Sequence, residues 1–248
     1  MPKAVLVTGG SRGIGRATCL IAAKRGWATA VNYVRDRAAA EATVAEAQRS
    51  GAKAVAIAGD VSRESDVIAM FDAATAALGP LEGVVVNAGI AATSSRLVDM
   101  TAERMRFVFE VNVLGAFFCA REAARRMSKS RGGGGGSIVL ISSAAARIGG
   151  PDMYVDYAAS KAAVDAMALG LSKELGREGV RVNSIRPGLI ETEIHATYGD
   201  PDRPYKMGAA TPLGRPGTAA EVAEAVVWLL SEASSYVTGA IIDVAGGR

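Results

Sequence analysis

Short apolar runs alternate with longer stretches of helical periodicity along the whole 248-residue chain. The runs are AVLVT (4–8), ATAVNY (28–33), KAVAIA (53–58), GVVVN (83–87), SIVLIS (137–142), VRVNSI (180–185) and AIIDV (240–244). Most are nearly continuous in apolar character, as parallel strands covered on both faces require. The intervening patterns predict helices at 13–25, 36–50, 64–78, 101–129, 153–176 and 218–231. Three carry start signals: Ser62 with Ser65 and Asp66, Thr101 ahead of Glu103, and Thr218 ahead of Glu221. Strict β-α alternation implies right-handed crossovers. The predicted fold is therefore α/β, one doubly wound, seven-stranded parallel sheet with helices on both faces, spanning 1–248 as a single domain.

Composition narrows the function classes. Half the residues are hydrophobic and 21% charged, which excludes a disordered chain. The net charge of +3 comes from interspersed residues of both signs, so neither a nucleic-acid nor a membrane surface is expected. Cys19 and Cys119 lie in apolar helical patterns and read as two buried free thiols. The opening apolar run is too short for a signal-peptide core, and no later run would span a bilayer; the expected location is cytoplasmic. RGGGGG (131–136) reads as a flexible surface loop. Residues 188–217, rich in Gly, Pro and charge, lack periodicity and read as a substrate lid.

The first strand runs into TGGSRGIG (8–15). Gly9, Gly13 and Gly15 allow a sharp turn and close approach of a pyrophosphate, and the helix starting there offers free N–H groups and its positive dipole end. At the first β-α junction of an alternating chain this is the mark of a Rossmann dinucleotide site. Other strand ends add Asp60 in AGDV and Asn87 and Gly89 in NAG. NAD enzymes place an acidic residue near the end of the second strand. Here that segment reads AVNYVRDR: Asn32, Tyr33 and Val34 precede Arg35, and Asp36 falls one or two residues late. Arg12 and Arg35 could together clasp a ribose 2′-phosphate, although arginines are also commonly just solvated. The favoured cofactor is NADP(H), with NAD(H) the alternative.

MYVDYAASK (153–161) places Tyr157 and Lys161 at i, i+4, one turn apart on a helix face. Free tyrosine has a pKa of about 10, and lowering it to about 7 takes roughly 4 kcal/mol. A neighbouring ammonium stabilises the phenolate and supplies part of that. Tyr157 is thus a candidate general acid/base and Lys161 its modulator. Tyr154 lies two turns from the lysine and reads as pocket wall. Ser142 and Ser143 end the fifth strand, at the edge that carries the glycine turn, where a hydroxyl can bond a substrate oxygen. Asn112, amid apolar residues in FEVNVLGAF, needs hydrogen-bond partners and could simply satisfy local backbone.

With TGGSRGIG, NAG, Asn112, ISS, YAASK, RPG with a following threonine, and VTGAIIDVAGG in order, the chain resembles the short-chain dehydrogenase/reductase family over essentially its whole length. The finer flavour is similar to glucose dehydrogenases and ketoacyl reductases. The resemblance implies a catalytic tetrad: Tyr157 as acid/base, Lys161 on the nicotinamide ribose, Ser143 on the carbonyl, and Asn112 holding a water in a proton relay. It implies a cofactor site of Gly9, Ser11, Arg12, Gly13, Ile14 and Gly15, then Asn32, Tyr33, Arg35, Asp60, Val61, Asn87, Ala88 and Gly89. Tyr157, Lys161, Pro187, Gly188, Ile190 and Thr192 complete it, the last two on the carboxamide. No metal is implied.

The expected activity is interconversion of a secondary alcohol and a ketone or aldehyde by hydride transfer. A sugar dehydrogenase preferring NAD and a catalytically silent cofactor-binding regulator are the alternatives. The tyrosine-to-lysine spacing is too short for an enoyl reductase. Ser143 to Tyr157 is one position longer than the family's usual spacing, with the extra residue falling in the 147–156 loop. The resemblance also implies homotetramers (or homodimers) packed through 101–129 and 153–176, where Ala158, Ala159, Ala162, Ala163 and Ala166 would permit close approach. The sole histidine, His195, with Tyr198, Tyr205 and Met207, falls in the presumed lid. Fold alone does not name the substrate.

Overall fold

The computed structural model describes residues 3–194, 199, 200 and 202–248; the expectations for His195 and Tyr198 lie outside them. In chain order the elements are β1 (Ala4–Val7), α1 (Gly13–Lys24), β2 (Ala28–Tyr33), α2 (Arg37–Arg49), β3 (Ala54–Ala58), α3 (Glu64–Leu78) and β4 (Leu81–Val86). Then follow α4 (Ala102–Phe109), α5 (Gly115–Met127), β5 (Gly136–Ile141), α6 (Ala145–Ile148), α7 (Val155–Leu175) and β6 (Val180–Pro187). The chain finishes with β7 (Ile190–Glu191), α8 (Arg203–Gly208), β8 (Gly217–Thr218), α9 (Ala219–Leu230) and β9 (Ile241–Val244).

Seven strands form one sheet in the order β3-β2-β1-β4-β5-β6-β9, and every pairing is parallel. The winding reverses between β1 and β4, so their carboxyl ends open a crevice at the topological switch point. Side chains alternate across the sheet. Leu6, Val84, Ile138 and Leu140 join Phe71 and Cys119 in one core, while Val5, Val7, Val85 and Val139 join Cys19 and Val226 in the other. That two-sided burial is why the strands read as unbroken apolar runs. It also puts the two cysteines in separate cores, each thiol pushed up to about 12 by burial. Among the described residues no helix is long and apolar enough to cross a membrane.

Four local expectations change. The helix predicted over 101–129 is broken by a π-helical turn at Glu110–Leu114, which holds Asn112. Gly115, just beyond it, packs on Val61 so closely that a Cβ would lie 2.9 Å from a Val61 methyl. Ser62 does not cap α3: its hydroxyl and amide both bond Asp60 Oδ1, a local turn that competes with capping. By contrast Thr101 caps α4, and Thr218 and Glu221 close a full capping box on α9.

The glycine run 131–136 is a tight connector rather than a loose loop. Gly133, Gly135 and Gly136 donate to the Ser128, Met127 and Gly179 carbonyls, and a Cβ on Gly136 would fall 2.3 Å from the Glu82 carbonyl oxygen. Within 188–217, β7 and β8 pair in parallel and α8 lies between them in the chain, so this region carries structure of its own.

Candidate active site

The glycine turn is held from three sides. Gly9 and Gly13 have φ of 61° and 51°, and a Cβ on Gly15 would lie 2.3 Å from the Gly9 carbonyl oxygen. Asn87 Nδ2 donates to the Thr8 and Gly9 carbonyls at 2.9 and 3.1 Å. Thr8 Oγ1 accepts from the Asn87 and Ala88 amides, 2.9 Å each, tying the end of β4 to that of β1. Asn32 accepts from the Gly9 amide at 3.0 Å and donates to the Gly59 carbonyl at 2.9 Å. It is fully buried among these backbone partners and shapes the loop.

α1 begins at this turn without a capping side chain and without an acidic residue in its first turn. Its amides and dipole are left for an anion. Arg12 reaches across to pair with Asp36. The other Asp36 oxygen accepts the Ala39 amide at 2.9 Å as the α2 cap, and these two partners, the amide first, hold its carboxyl below the usual range. Arg35 is solvent-exposed beside them.

A cavity of about 350 Å³ opens at the switch point. Gly9, Arg12, Gly13 and Ile14 form one end, and Asn87, Ala88 and Gly89 the floor. Pro187, Gly188, Ile190 and Thr192 form the facing wall, with Thr192 so near Gly13 that a Cβ there would meet its methyl at 3.3 Å. Ser142, Ser143, Tyr154, Tyr157 and Lys161 line the other end. Flat glycine surfaces, an open helix N-terminus and this shape fit the diphosphate and nicotinamide ends of a dinucleotide.

At that end Lys161 is buried and donates to the Ile141 carbonyl at 2.8 Å, its ammonium 5.7 Å from the Tyr157 ring centre. Burial pushes its pKa down to about 8, and Asp165 one turn on opposes the shift. Ser142 donates to the Lys161 carbonyl at 2.9 Å and so pins α7 to β5. Ser143 is half-buried and accepts the Ala145 amide at 3.1 Å, leaving its proton free of that bond. Asn112 lies behind the floor: it exchanges two bonds with the Ile90 backbone, at 2.8 and 2.9 Å, and donates to Ser160 Oγ at 3.0 Å. A Cβ on Gly89 would touch Lys161 Nζ and Asn112 Oδ1 at 3.1 and 3.3 Å, which is why a glycine closes NAG.

A family model described as enoyl-(acyl carrier protein) reductase matches residues 9–248. The uncharacterized oxidoreductase YgfF of Escherichia coli (strain K12) is 49% identical over 98% of both chains. The L-rhamnose 1-dehydrogenase (NAD(P)(+)) of Sphingomonas sp. (strain SKA58) is 39% identical over 99% of this chain and 95% of its own. The chain belongs to the short-chain dehydrogenase/reductase family. A crystal structure of a short-chain type dehydrogenase/reductase from Mycobacterium marinum superposes with a TM-score of 0.92 at 35% identity, covering 99% of this chain and 94% of that one. The protein is accordingly an NAD(P)-dependent oxidoreductase acting on alcohol and carbonyl groups.

Several expected cofactor positions of this dehydrogenase/reductase stand outside the cavity. Gly15 and Asn32 brace the loop. Ser11 offers its carbonyl to Thr43 Oγ1 at 3.3 Å, Asp60 accepts from Ser62, and Val61 and Tyr33 belong to the two cores. Sequence reasoning missed Thr8, whose sequence signal was only its place in TGG. It also missed Arg203, a cavity-lining residue in the aperiodic PDRPY segment, where no pattern marks it.

Proposed function

We propose that this enzyme reduces a ketone or aldehyde to an alcohol with NADPH, and runs the reverse reaction with NADP⁺, using Tyr157 as general acid/base. The observation that carries the reading is Tyr157, Lys161 and Ser143 lining one end of a crevice whose other end is an uncapped helix N-terminus. When bound, the dinucleotide supplies or accepts the hydride at its nicotinamide. Lys161 would hold the nicotinamide ribose, and its positive charge lowers the cost of a Tyr157 phenolate. Ser143 donates a hydrogen bond to the substrate oxygen, keeping its own proton, and fixes the carbonyl, while Tyr157 transfers the one proton that oxygen takes up as the hydride reaches carbon. Asn112 acts on α7 from behind, through Ser160, whose hydroxyl donates to the Tyr157 carbonyl at 2.7 Å.

The test is NADPH oxidation against a panel of ketones, aldehydes and sugars. Ser143→Ala should lower kcat about a hundredfold or more at unchanged thermal stability, within the range for losing one positioned donor; near-normal turnover would remove Ser143 from the mechanism.

Arg12 and Arg35 support the NADP choice, since two arginines suit a 2′-phosphate, Arg35 is exposed, and Asp36 already has two partners. The same Asp36 carboxylate favours a second reading: freed from Arg12, it could accept ribose hydroxyls, as in an NAD-preferring sugar dehydrogenase. The expected KM for NADPH is at least about tenfold below that for NADH, from one charge-assisted bond. Arg12→Ala should raise KM for NADPH and leave that for NADH little changed. A clear preference of the wild type for NADH defeats the assignment.

We also propose a homotetramer in the cytoplasm. Phe107, Phe109, Leu114, Phe117 and Leu169 are exposed large apolar side chains on α4, the π-turn, α5 and α7. Ala159, Ala162 and Ala166 form an exposed small-residue stripe on α7, whereas Ala158 is buried against Tyr157 within the subunit. Sedimentation equilibrium giving a monomer at micromolar concentration would overturn this.

A further inference from the structure

Arg203 is 6% exposed and lines the catalytic cavity, yet no acidic side chain among the described residues pairs with it. Its hydrogen bonds go to the Met153 thioether at 3.3 Å and the Tyr154 hydroxyl at 3.1 Å. Its guanidinium also stacks 5.5 Å from the Tyr154 ring centre. These partners are neutral and weak. A guanidinium carries five donors and cannot shed its proton, so burying it against such partners is costly. Arg104, by contrast, is held by the Asp156 carboxylate at 2.8 Å. The cavity's own acid, Glu193, lies by Gly13 at the opposite end.

Tyr154 in turn meets the Tyr157 ring edge to face, centres 5.9 Å apart and planes at 87°. The cation therefore stands one aromatic ring away from the proposed acid/base. Gly150 makes the arrangement possible: a Cβ there would lie 2.4 Å from Tyr154 ring carbon Cδ2.

We propose that Arg203 is the anchor for an anionic group on the substrate, and that the physiological substrate is an oxo acid (or, in oxidation, the hydroxy acid) whose carboxylate lies several atoms from the reacting carbon. The inference rests on the oxidoreductase reading above and narrows its substrate class. A carboxylate matches the guanidinium fork in two parallel bonds, and a single cation with apolar neighbours suits one negative charge. The two legs of 5.5 and 5.9 Å keep the guanidinium within their combined length of the Tyr157 ring centre, a span of several carbon atoms.

The test compares straight-chain oxo acids, 4-oxopentanoate to 6-oxoheptanoate, with their methyl esters, on the enzyme saturated with NADPH. The wild type should favour one acid over its ester by about ten- to a hundredfold in kcat/KM, chiefly through KM, the range for a bond to a charged group. In Arg203→Met the acid-to-ester ratio should collapse towards one, Arg203→Lys should restore part of it, and Tyr154→Phe should lower it while the protein melts as the wild type does. A wild-type ratio of one, or an Arg203→Met variant that loses acid and ester equally, overturns the proposal. Calorimetric binding of pentanoate to the NADPH complex is read in parallel. If no carbonyl compound at all is reduced, the oxidoreductase reading fails, and pentanoate binding to wild type but not to Arg203→Met still supports the anion site. Pentanoate that binds neither protein overturns it.

Discussion

Tyr157→Phe lowers the rate of hydride transfer by about a thousandfold or more and leaves cofactor affinity and melting temperature near wild-type values. The substitution removes one oxygen. The ring is 8% exposed and packs with Ala145, Ala158 and Tyr154, contacts a phenylalanine repeats. What disappears is the proton donor to the substrate oxygen, and positioned acid/base groups contribute about 10² to 10⁴ in rate. Ser143 cannot substitute, since an aliphatic hydroxyl is a far weaker acid than a phenol. Stopped-flow single turnovers, which separate chemistry from release, are the right measurement. A rate within tenfold of wild type would show that the proton travels by another route.

Lys161→Met is expected to cost about a hundredfold or more in kcat while the melting temperature at pH 7 stays level or rises. Lys161 has a folded-state pKa depressed to about 8 from an ordinary 10.5, chiefly by burial. A depressed cationic pKa means that the unfolded chain holds more protons than the folded one between about 8 and 10.5. This group's contribution to unfolding free energy therefore rises with pH across that window. Below pH 8 both states are charged and the full penalty, about 3 kcal/mol, burdens the fold. Methionine removes it at similar length and leaves the Ile141 carbonyl unpartnered, which costs about 1–3 kcal/mol in return. The wild-type rate should also fall as pH rises through about 8, where the ammonium that stabilises the phenolate is lost. A Lys161→Met enzyme that melts several degrees lower yet keeps its rate would assign the lysine a structural role.

The parts of the site legible in the sequence are those set by short spacing. Tyr157 and Lys161 are one helical turn apart, and TGGSRGIG sits between a strand and a helix, so local geometry already aims both. The extra residue in the 147–156 loop was legible as a length and not as a shape. In the structure that loop holds Gly149, Gly150 and Asp152 at positive φ, and brings Tyr154 over Tyr157. Asn32 read as a cofactor residue because it falls in the second-strand segment of the site that the family resemblance implies. Its burial follows from three backbone groups, the Gly9 amide of the glycine turn and the Ile57 and Gly59 carbonyls at the end of β3, that only the folded chain brings together.

By itself the sequence determined the alternation of strands and helices, the parallel sheet and the two cores, because side-chain periodicity and continuous apolar runs have few ways to be buried. It also determined the placing of Tyr157 and Lys161 one above the other, because four residues along a helix is a fixed distance. Only the tertiary structure decided which serine keeps a free proton, that Arg12 is tied to Asp36, that Asn112 breaks its helix into a π-turn to reach Ile90 and Ser160, and that Arg203 is buried beside Tyr154. Apart from the local Ser143–Ala145 bond, those contacts join residues far apart in the chain. Their partners are chosen by packing and by the need to satisfy buried polar groups, which no local pattern in the chain encodes.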